Sequence, residues 1–425
     1  MEYVVPRPEN AGQTKELALS TQEAVPGLLR KRDSSRPLKI LSFSSLFPNP
    51  IQPTHGIFLQ HRLAHLAKVP GVEVRMVAPV PFLPSAMRRI ERYGAYVDVP
   101  SKSAPSGIQT RHPRYPVIPK IGMTVAPALM AAALLPEIRR IRAEGFDFDV
   151  IDAYYLYPDG VAAALIAKAM RRPLLLTAFG TDVNLLPTFA TVRPQVLWAV
   201  RQSVAVTCVC RALADRLVEL GIERDKTDVI LHGVDLDLFH PPSDRAELRR
   251  NLKFERPTLL SVGHLIERKG HGFVIDAMRN LPGVDLVIAG SGPLDSALRQ
   301  RAERMGVADR VRFVGNVNQG TLAGLMGAAD ALVLCSDREG LANVLVEAMA
   351  CGTPVAATPV WGSPEAVQDW HAGVLLADRS SAAVVEGVRE LLGHRRDRQR
   401  TRAWAEQFSW PDAARRHATH AFAAI

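Results

Sequence analysis

Glu339 and Glu347 stand with seven residues between them in the run EGLANVLVEAMACGTPV at 339–355. They bracket the start of a short apolar helix that Gly352, Thr353 and Pro354 stop before an apolar strand. Asn343, read as the helix cap, leaves the N–H groups of Val344 to Val346 pointing out of the amino end, where the helix dipole favours negative charge. A diphosphate fits there, next to the backbone of Gly340, Leu341, Ala342, Asn343 and Val344. Glu339, on the preceding loop, can accept hydrogen bonds from sugar hydroxyls on one side of that phosphate, and Glu347, about one turn into the helix, from ribose hydroxyls on the other. The pattern suits a nucleotide sugar. A bare pair of glutamates is more often a solvated loop residue and a helix-surface charge, so the surrounding segments decide.

Those segments are two successive sets of short apolar β-type runs with helical patterns between them. The first set is 38–43, 72–78, 150–154, 174–178, 204–209 and 228–231; the second is 258–262, 284–289, 311–314, 331–335, 355–357 and 374–376. Strands buried on both faces and alternating with helices predict parallel sheets, here two doubly wound α/β domains. Ligands of such folds bind beyond the carboxyl ends of the strands, which puts the reaction in a cleft. The expected divisions are a tail over 1–36, a first domain over 37–232, a second over 233–395 and a final aromatic, amphipathic segment over 396–425 that packs back on the first domain.

Composition narrows the class. A chain of 425 residues, 47% of them apolar, is globular and long enough for two or three cores. Cys208, Cys210, Cys335 and Cys351 lie in or beside apolar runs without metal-ligand spacing and read as buried thiols of a reducing compartment. The tail has no apolar core segment of a signal peptide, and the longest apolar run, 121–135, is interrupted by Pro127, so the expectation is a soluble cytoplasmic protein. The net charge of +9 is matched by one stretch: residues 62–142 hold thirteen Lys or Arg against four acids. Within it, Pro81 to Tyr93 sets Phe, Leu, Met, Ile and Tyr among arginines, a pattern that suits peripheral contact with an anionic membrane and equally an ordinary solvated helix. No nucleic-acid-binding motif accompanies the charge.

The chain resembles the retaining glycosyltransferases of family 4, which have the GT-B fold of two Rossmann-like domains. The likeness is carried by the glutamate segment, GVDLDLFHP at 233–241, SVGHLIERKG at 261–270, AGSGP at 289–293, FVGNV at 313–317 and the terminal FSW at 408–410. Leu46 to Pro50, Thr54 to Phe58, Tyr157 to Gly160 and Gly180 to Asp182 are similar to members that build bacterial surface polysaccharides. The resemblance implies that Glu339 holds donor-sugar hydroxyls, Glu347 the ribose, and Lys269 the diphosphate. It implies that Gly263 lies at a strand tip where a side chain would block the phosphate, that Gly290 and Gly292 turn the chain beside the nucleotide, and that Asn316 and Val317 line the base. In the first domain it implies that Gly56 opens a helix facing the cleft and that Asp182 lines the sugar pocket.

Two positions depart from the family pattern. His264 stands where Arg is common, with Arg268 as the replacement cation, and Phe179 stands where a His often contacts the sugar's C6 hydroxyl. The implied reaction is hexosyl transfer from a UDP- or GDP-sugar to a glycan or lipid-linked acceptor in bacterial polysaccharide synthesis. It retains anomeric configuration and needs no metal or other cofactor, because cationic side chains meet the diphosphate. A nucleotide-sugar epimerase of the same architecture is the alternative. A two-lobed binding protein is disfavoured for want of an export signal. A nicotinamide-dependent dehydrogenase is disfavoured because Ser42-Phe43-Ser44-Ser45 occupies the turn where glycines are needed.

Overall fold

The computed structural model describes residues 36–82, 94–117, 122–394 and 396–425. The tail, apart from Arg36, and most of the Pro81 to Tyr93 segment lie outside them. The described chain forms two compact units, one of 36–233 with 410–425 and one of 234–409.

The first unit holds β1 (Leu38–Phe43), β2 (Val72–Val77), β3 (Val80–Phe82), β4 (Lys102–Ser103), β5 (Thr110–Arg111), β6 (Arg114–Pro116), β7 (Val150–Tyr154), β8 (Leu174–Ala178), β9 (Ala205–Cys208) and β10 (Thr227–Val229). Its main sheet runs β10-β9-β8-β7-β1-β2-β5-β4, parallel except where β4 meets β5, and β3 pairs with β6 apart from it. The second unit holds β11 (Thr258–Val262), β12 (Asp285–Ala289), β13 (Val311–Gly315), β14 (Ala331–Leu334), β15 (Val355–Ala357) and β16 (Gly373–Leu375), all parallel in the order β13-β12-β11-β14-β15-β16. That is the 3-2-1-4-5-6 order of a dinucleotide-binding sheet. The chain reverses direction of travel between β11 and β14, and in the first sheet between β1 and β7. A crevice therefore opens beyond the carboxyl ends of each pair. β7, β8, β11 and β15 are buried along their whole length, as continuous apolar runs require.

Six helices matter for the sites: α1 (Ile57–Leu66), α2 (Gly122–Ala143), α3 (His271–Ala277), α4 (Asn343–Ala350), α5 (Arg398–Ala405) and α6 (Trp410–Ala423). The segment expected to pack as one piece divides: α5 stays in the second unit and α6 joins the first. There His417, 1% exposed, approaches Asp152 Oδ2 at 2.9 Å and Arg62 Nη2 at 3.3 Å, while Tyr154 donates to the same carboxylate. The apolar run 121–135 forms most of α2, with Pro127 and Pro136 inside it, and among the described residues no helix is long and apolar enough to cross a membrane.

The basic stretch is less of a surface feature than its charge suggests. Arg62 is fully buried, and Arg111 pairs with Glu137 and Glu144. Arg114 donates to the carbonyls of Tyr96, Val97 and Val99, and Arg140 and Arg142 pair with Glu137 and Asp147. Arg88, Arg89, Arg92 and Lys120 lie outside the described residues.

Candidate functional site

The loops that leave β11 and β14 meet over the second unit's switch point. After β11 the chain passes through Gly263 and His264 into a short turn, Glu267–Lys269, whose side chains come back to the loop after β14. Lys269 Nζ donates to Glu339 Oε1 at 2.7 Å, and Arg268 Nη1 donates to Glu339 Oε2 at 3.2 Å and to the Arg338 carbonyl at 2.8 Å. Burial alone would raise the Glu339 pKa, but the Lys269 and Arg268 charges and their hydrogen bonds outweigh it and hold the carboxyl below its ordinary value. Glu339 therefore stays an acceptor-only carboxylate beside two cations.

Gly263 has φ +147°, a conformation that L side chains rarely adopt. A Cβ there would also press to 3.3 Å from Lys269 Cδ and Cε. Gly290 and Gly292 each stand where two loops touch. A Cβ on Gly290 would fall 2.0 Å from the Gly263 carbonyl oxygen, and one on Gly292 2.6 Å from that of Leu265, so both let the loop after β12 lie against the loop after β11. Beneath that loop, His271 on α3 is buried, with Nδ1 2.9 Å from Ser261 Oγ. Burial first and Lys269 second push its pKa down to about 4, so it is neutral.

Helix α4 begins at Asn343, and the capping position is Ala342 rather than Asn343 as the sequence suggests. Ala342 has extended backbone (φ −76°, ψ 103°), no side chain caps the terminus, and Leu345 N bonds to the Ala342 carbonyl at 3.0 Å. Asn343 Oδ1 is buried with no hydrogen-bond partner among the described residues. The amino end thus offers backbone N–H groups with no side-chain cap among the described residues. One turn on, burial pushes the Glu347 carboxyl up to about 7. The far end is anchored: Arg402 donates to the Ala350 carbonyl at 2.9 Å and Arg398 to that of Cys351 at 3.1 Å, which places cations at the negative pole of the helix. The sequence reading missed these two arginines, whose only signal was their density in a helical segment near the end of the chain.

The remaining expected residues are placed as follows. His264 is exposed at the strand end, and Asn316, exposed, follows β13 with Val317 behind it. The β13 edge is tied to the loop after β12 by the Gly290 N–H bonding the Gly315 carbonyl at 2.8 Å. In the first unit Gly56 does open α1, where a Cβ would fall 2.3 Å from the Leu46 carbonyl oxygen. Asp182 is fully buried and accepts from the backbone N–H groups of Leu156, Phe179 and Gly180 at 3.0, 3.1 and 2.7 Å. Its carboxylate staples two loops. Phe179 stacks on His232 at 5.5 Å and meets Phe58 edge-on at 5.0 Å, an apolar use of the position. The switch point of this unit is instead bridged by Asp159, which accepts from Ser45 N at 2.9 Å and Ser45 Oγ at 2.8 Å and is pushed up to about 7 by burial.

Comparison with known proteins agrees with this layout. Residues 59–238 match the family model Glycosyltransferase Family 4, and residues 244–408 match Glycosyl transferases group 1. A putative teichuronic acid biosynthesis glycosyltransferase of Bacillus subtilis, TuaC, is 26% identical over 83% of this chain and 88% of its own length. A GDP-mannose-dependent alpha-(1-6)-phosphatidylinositol monomannoside mannosyltransferase of Mycobacterium tuberculosis is 40% identical over 38% of this chain, and the match spans less than half (45%) of that relative. Among solved structures, HepE of Anabaena in complex with UDP has the same fold, with a TM-score of 0.66 and 22% identity over 90% of this chain and 98% of its own. Two doubly wound sheets, each matched in order by a glycosyltransferase model, with a relative aligned along most of the sequence, establish that this chain belongs to the family 4 glycosyltransferases of GT-B fold.

Proposed function

We propose that the enzyme transfers a hexose from a UDP- or GDP-sugar to a glycan or lipid-linked acceptor in surface polysaccharide synthesis, with retention of anomeric configuration and without a metal. The observation that carries this reading is the joining of Glu339, Lys269 and Arg268 at the switch point, in the loop that runs into the uncapped amino end of α4. The diphosphate would take the α4 N–H groups and the two cations, the sugar hydroxyls Glu339, and the ribose hydroxyls Glu347. In the transfer the acceptor oxygen bonds to the anomeric carbon as the bond from that carbon to the β-phosphate oxygen breaks. The acceptor proton passes to the leaving phosphate on the same face. Charge then develops where the helix terminus and cations already point, which is where preorganised electrostatics lower a barrier. The two donor chemistries are those in the names of related proteins, GDP-mannose in the mycobacterial enzyme and UDP in the Anabaena complex. Contact with an anionic membrane is part of the proposal, and it rests on the 83–93 segment rather than on the arginines that are internally paired.

The test is thermal stabilisation of the purified protein by UDP, GDP, ADP and their sugar conjugates, with the same panel on Glu347→Ala. A shift with one nucleotide family that shrinks in the variant supports the donor site and names the base. No shift with any of them overturns it. Membrane contact is tested by flotation with anionic and neutral vesicles, and equal binding to both removes that part.

A further inference from the structure

A helix that links two parallel strands runs antiparallel to them, so its first turn sits at the carboxyl edge of the sheet. In the first unit three such first turns belong to α2, which leads into β7, the helix Val161–Met170, which links β7 to β8, and the helix Arg193–Gln202, which leads into β9. They flank an open surface pocket of about 330 Å³ lined by Pro127, Ala128, Val161, Leu165, Pro194 and Trp198. That volume is at the small end of ligand sites, roughly 300–1,000 Å³. In this lining only Gln195 and the Trp198 indole N–H offer a side-chain hydrogen bond. A sugar, with a hydroxyl on nearly every carbon, would lose hydrogen bonds to water there without replacement. A hydrocarbon chain would lose none.

Three further observations bear on what kind of chain. The approach is apolar: Met123, one turn before Pro127, is 43% exposed, and Val125 and Phe189 are 39% and 44% exposed. Arg193, an exposed cation, adjoins Pro194 of the wall and can meet a phosphate. Val161 follows two residues after Asp159, whose carboxylate bonds Ser45 at the switch point, so the helix that forms one wall of the pocket starts beside that point. We propose that this pocket receives the hydrocarbon chain of a lipid phosphate acceptor, holding it while the head group reaches the sheet's carboxyl edge. The inference rests on the transferase reading above and assigns the acceptor a chemical class.

The experiment uses the full chain and follows tryptophan emission during titration with 9,10-dibromostearate, whose bromines quench on contact. Trp198 is one of five tryptophans, so part of the emission should be lost in the wild type and spared in Trp198→Phe. Farnesyl phosphate should relieve the quenching and inorganic phosphate should not; relief by stearate alone would assign an acyl rather than a prenyl chain within the same class. Ala128→Phe, which fills the pocket from an exposed helix position, should weaken chain binding roughly tenfold or more by removing the buried contact. The same variant should keep the thermal shift given by the nucleotide. Equal quenching in Trp198→Phe, undiminished binding in Ala128→Phe, or displacement by an amphipathic peptide but not by either lipid would overturn the assignment. Loss of the nucleotide shift in the wild type would instead strike the donor reading, and the two failures are separately visible.

Discussion

Lys269 Nζ lies 2.7 Å from Glu339 Oε1, and this ion pair ties the loop after β11 to the loop after β14 over the point where the second sheet changes its direction of winding. Both side chains are mostly withdrawn from water, at 14% and 9% exposure. Cation and carboxylate therefore hold one another in place before any donor arrives. Lys269→Ala should lower kcat by about 10²-fold or more, the loss usual when one preorganised electrostatic contact to developing charge is removed. Lys269→Arg should recover part of it. Steady-state kinetics with the donor identified by thermal shift will decide, and a change confined to KM would mean that Lys269 only binds.

Donor affinity should depend on pH through Glu347. Its carboxyl titrates at about 7 in the free protein because burial disfavours the charged form. Ribose hydroxyls donate best to the ionised form, so binding lowers this pKa and releases a proton. Affinity should rise as pH increases toward about 7 and level off above it. Calorimetry between acid and mildly alkaline pH should show that slope in the wild type and its loss in Glu347→Gln.

Asp182→Asn should behave as a stability variant. The carboxylate serves three backbone N–H groups, and an amide would turn its own NH₂ toward at least one of them. An unsatisfied buried donor costs about 1–3 kcal/mol. The melting temperature should fall while the nucleotide shift measured at a lower temperature stays unchanged. A weakened nucleotide shift with an unchanged melting temperature would restore Asp182 to the binding site.

Gly290→Ala should uncouple the loops after β12 and β11. The added methyl would fall 2.0 Å from the Gly263 carbonyl oxygen, a contact that real structures do not contain, and φ of +146° adds strain. The Gly263 loop must move, so donor affinity should drop while far-ultraviolet circular dichroism remains that of the folded protein. Unchanged affinity would show that this loop has no part in donor binding.

Much of this was legible before the structure. β1, β7, β8, β11 and β15 coincide with the expected residues because runs such as LKILSF and TLLSV are mostly apolar and β-branched or aliphatic. The small strands β3 to β6 carry Lys, Arg and Pro in two or three residues each, and only their pairing makes them strands. Asn343 is a better capping residue than Ala342 by type, yet the cap is fixed by where the backbone turns, which composition does not encode. Asp182 shows the same limit, since a carboxylate facing a pocket and one facing three amide groups look alike in sequence. The charge of the 62–142 stretch was plain, but its pairing with Glu137, Glu144 and Asp147 depends on the packed α2 helix.

The way α6 completes the first unit has a consequence for how the protein comes into being. Domains tend to fold as they leave the ribosome, amino end first. Here the unit that is made first is finished last, because Asp152 and Arg62 meet His417 only when residues 410–425 have been synthesised, after all of 234–409 has emerged. Until then a carboxylate and a guanidinium destined for the interior lack their imidazole partner, and a nascent chain cut short before Trp410 carries that deficit permanently. Residues 410–425 thus tie completion of the first unit to synthesis of the second.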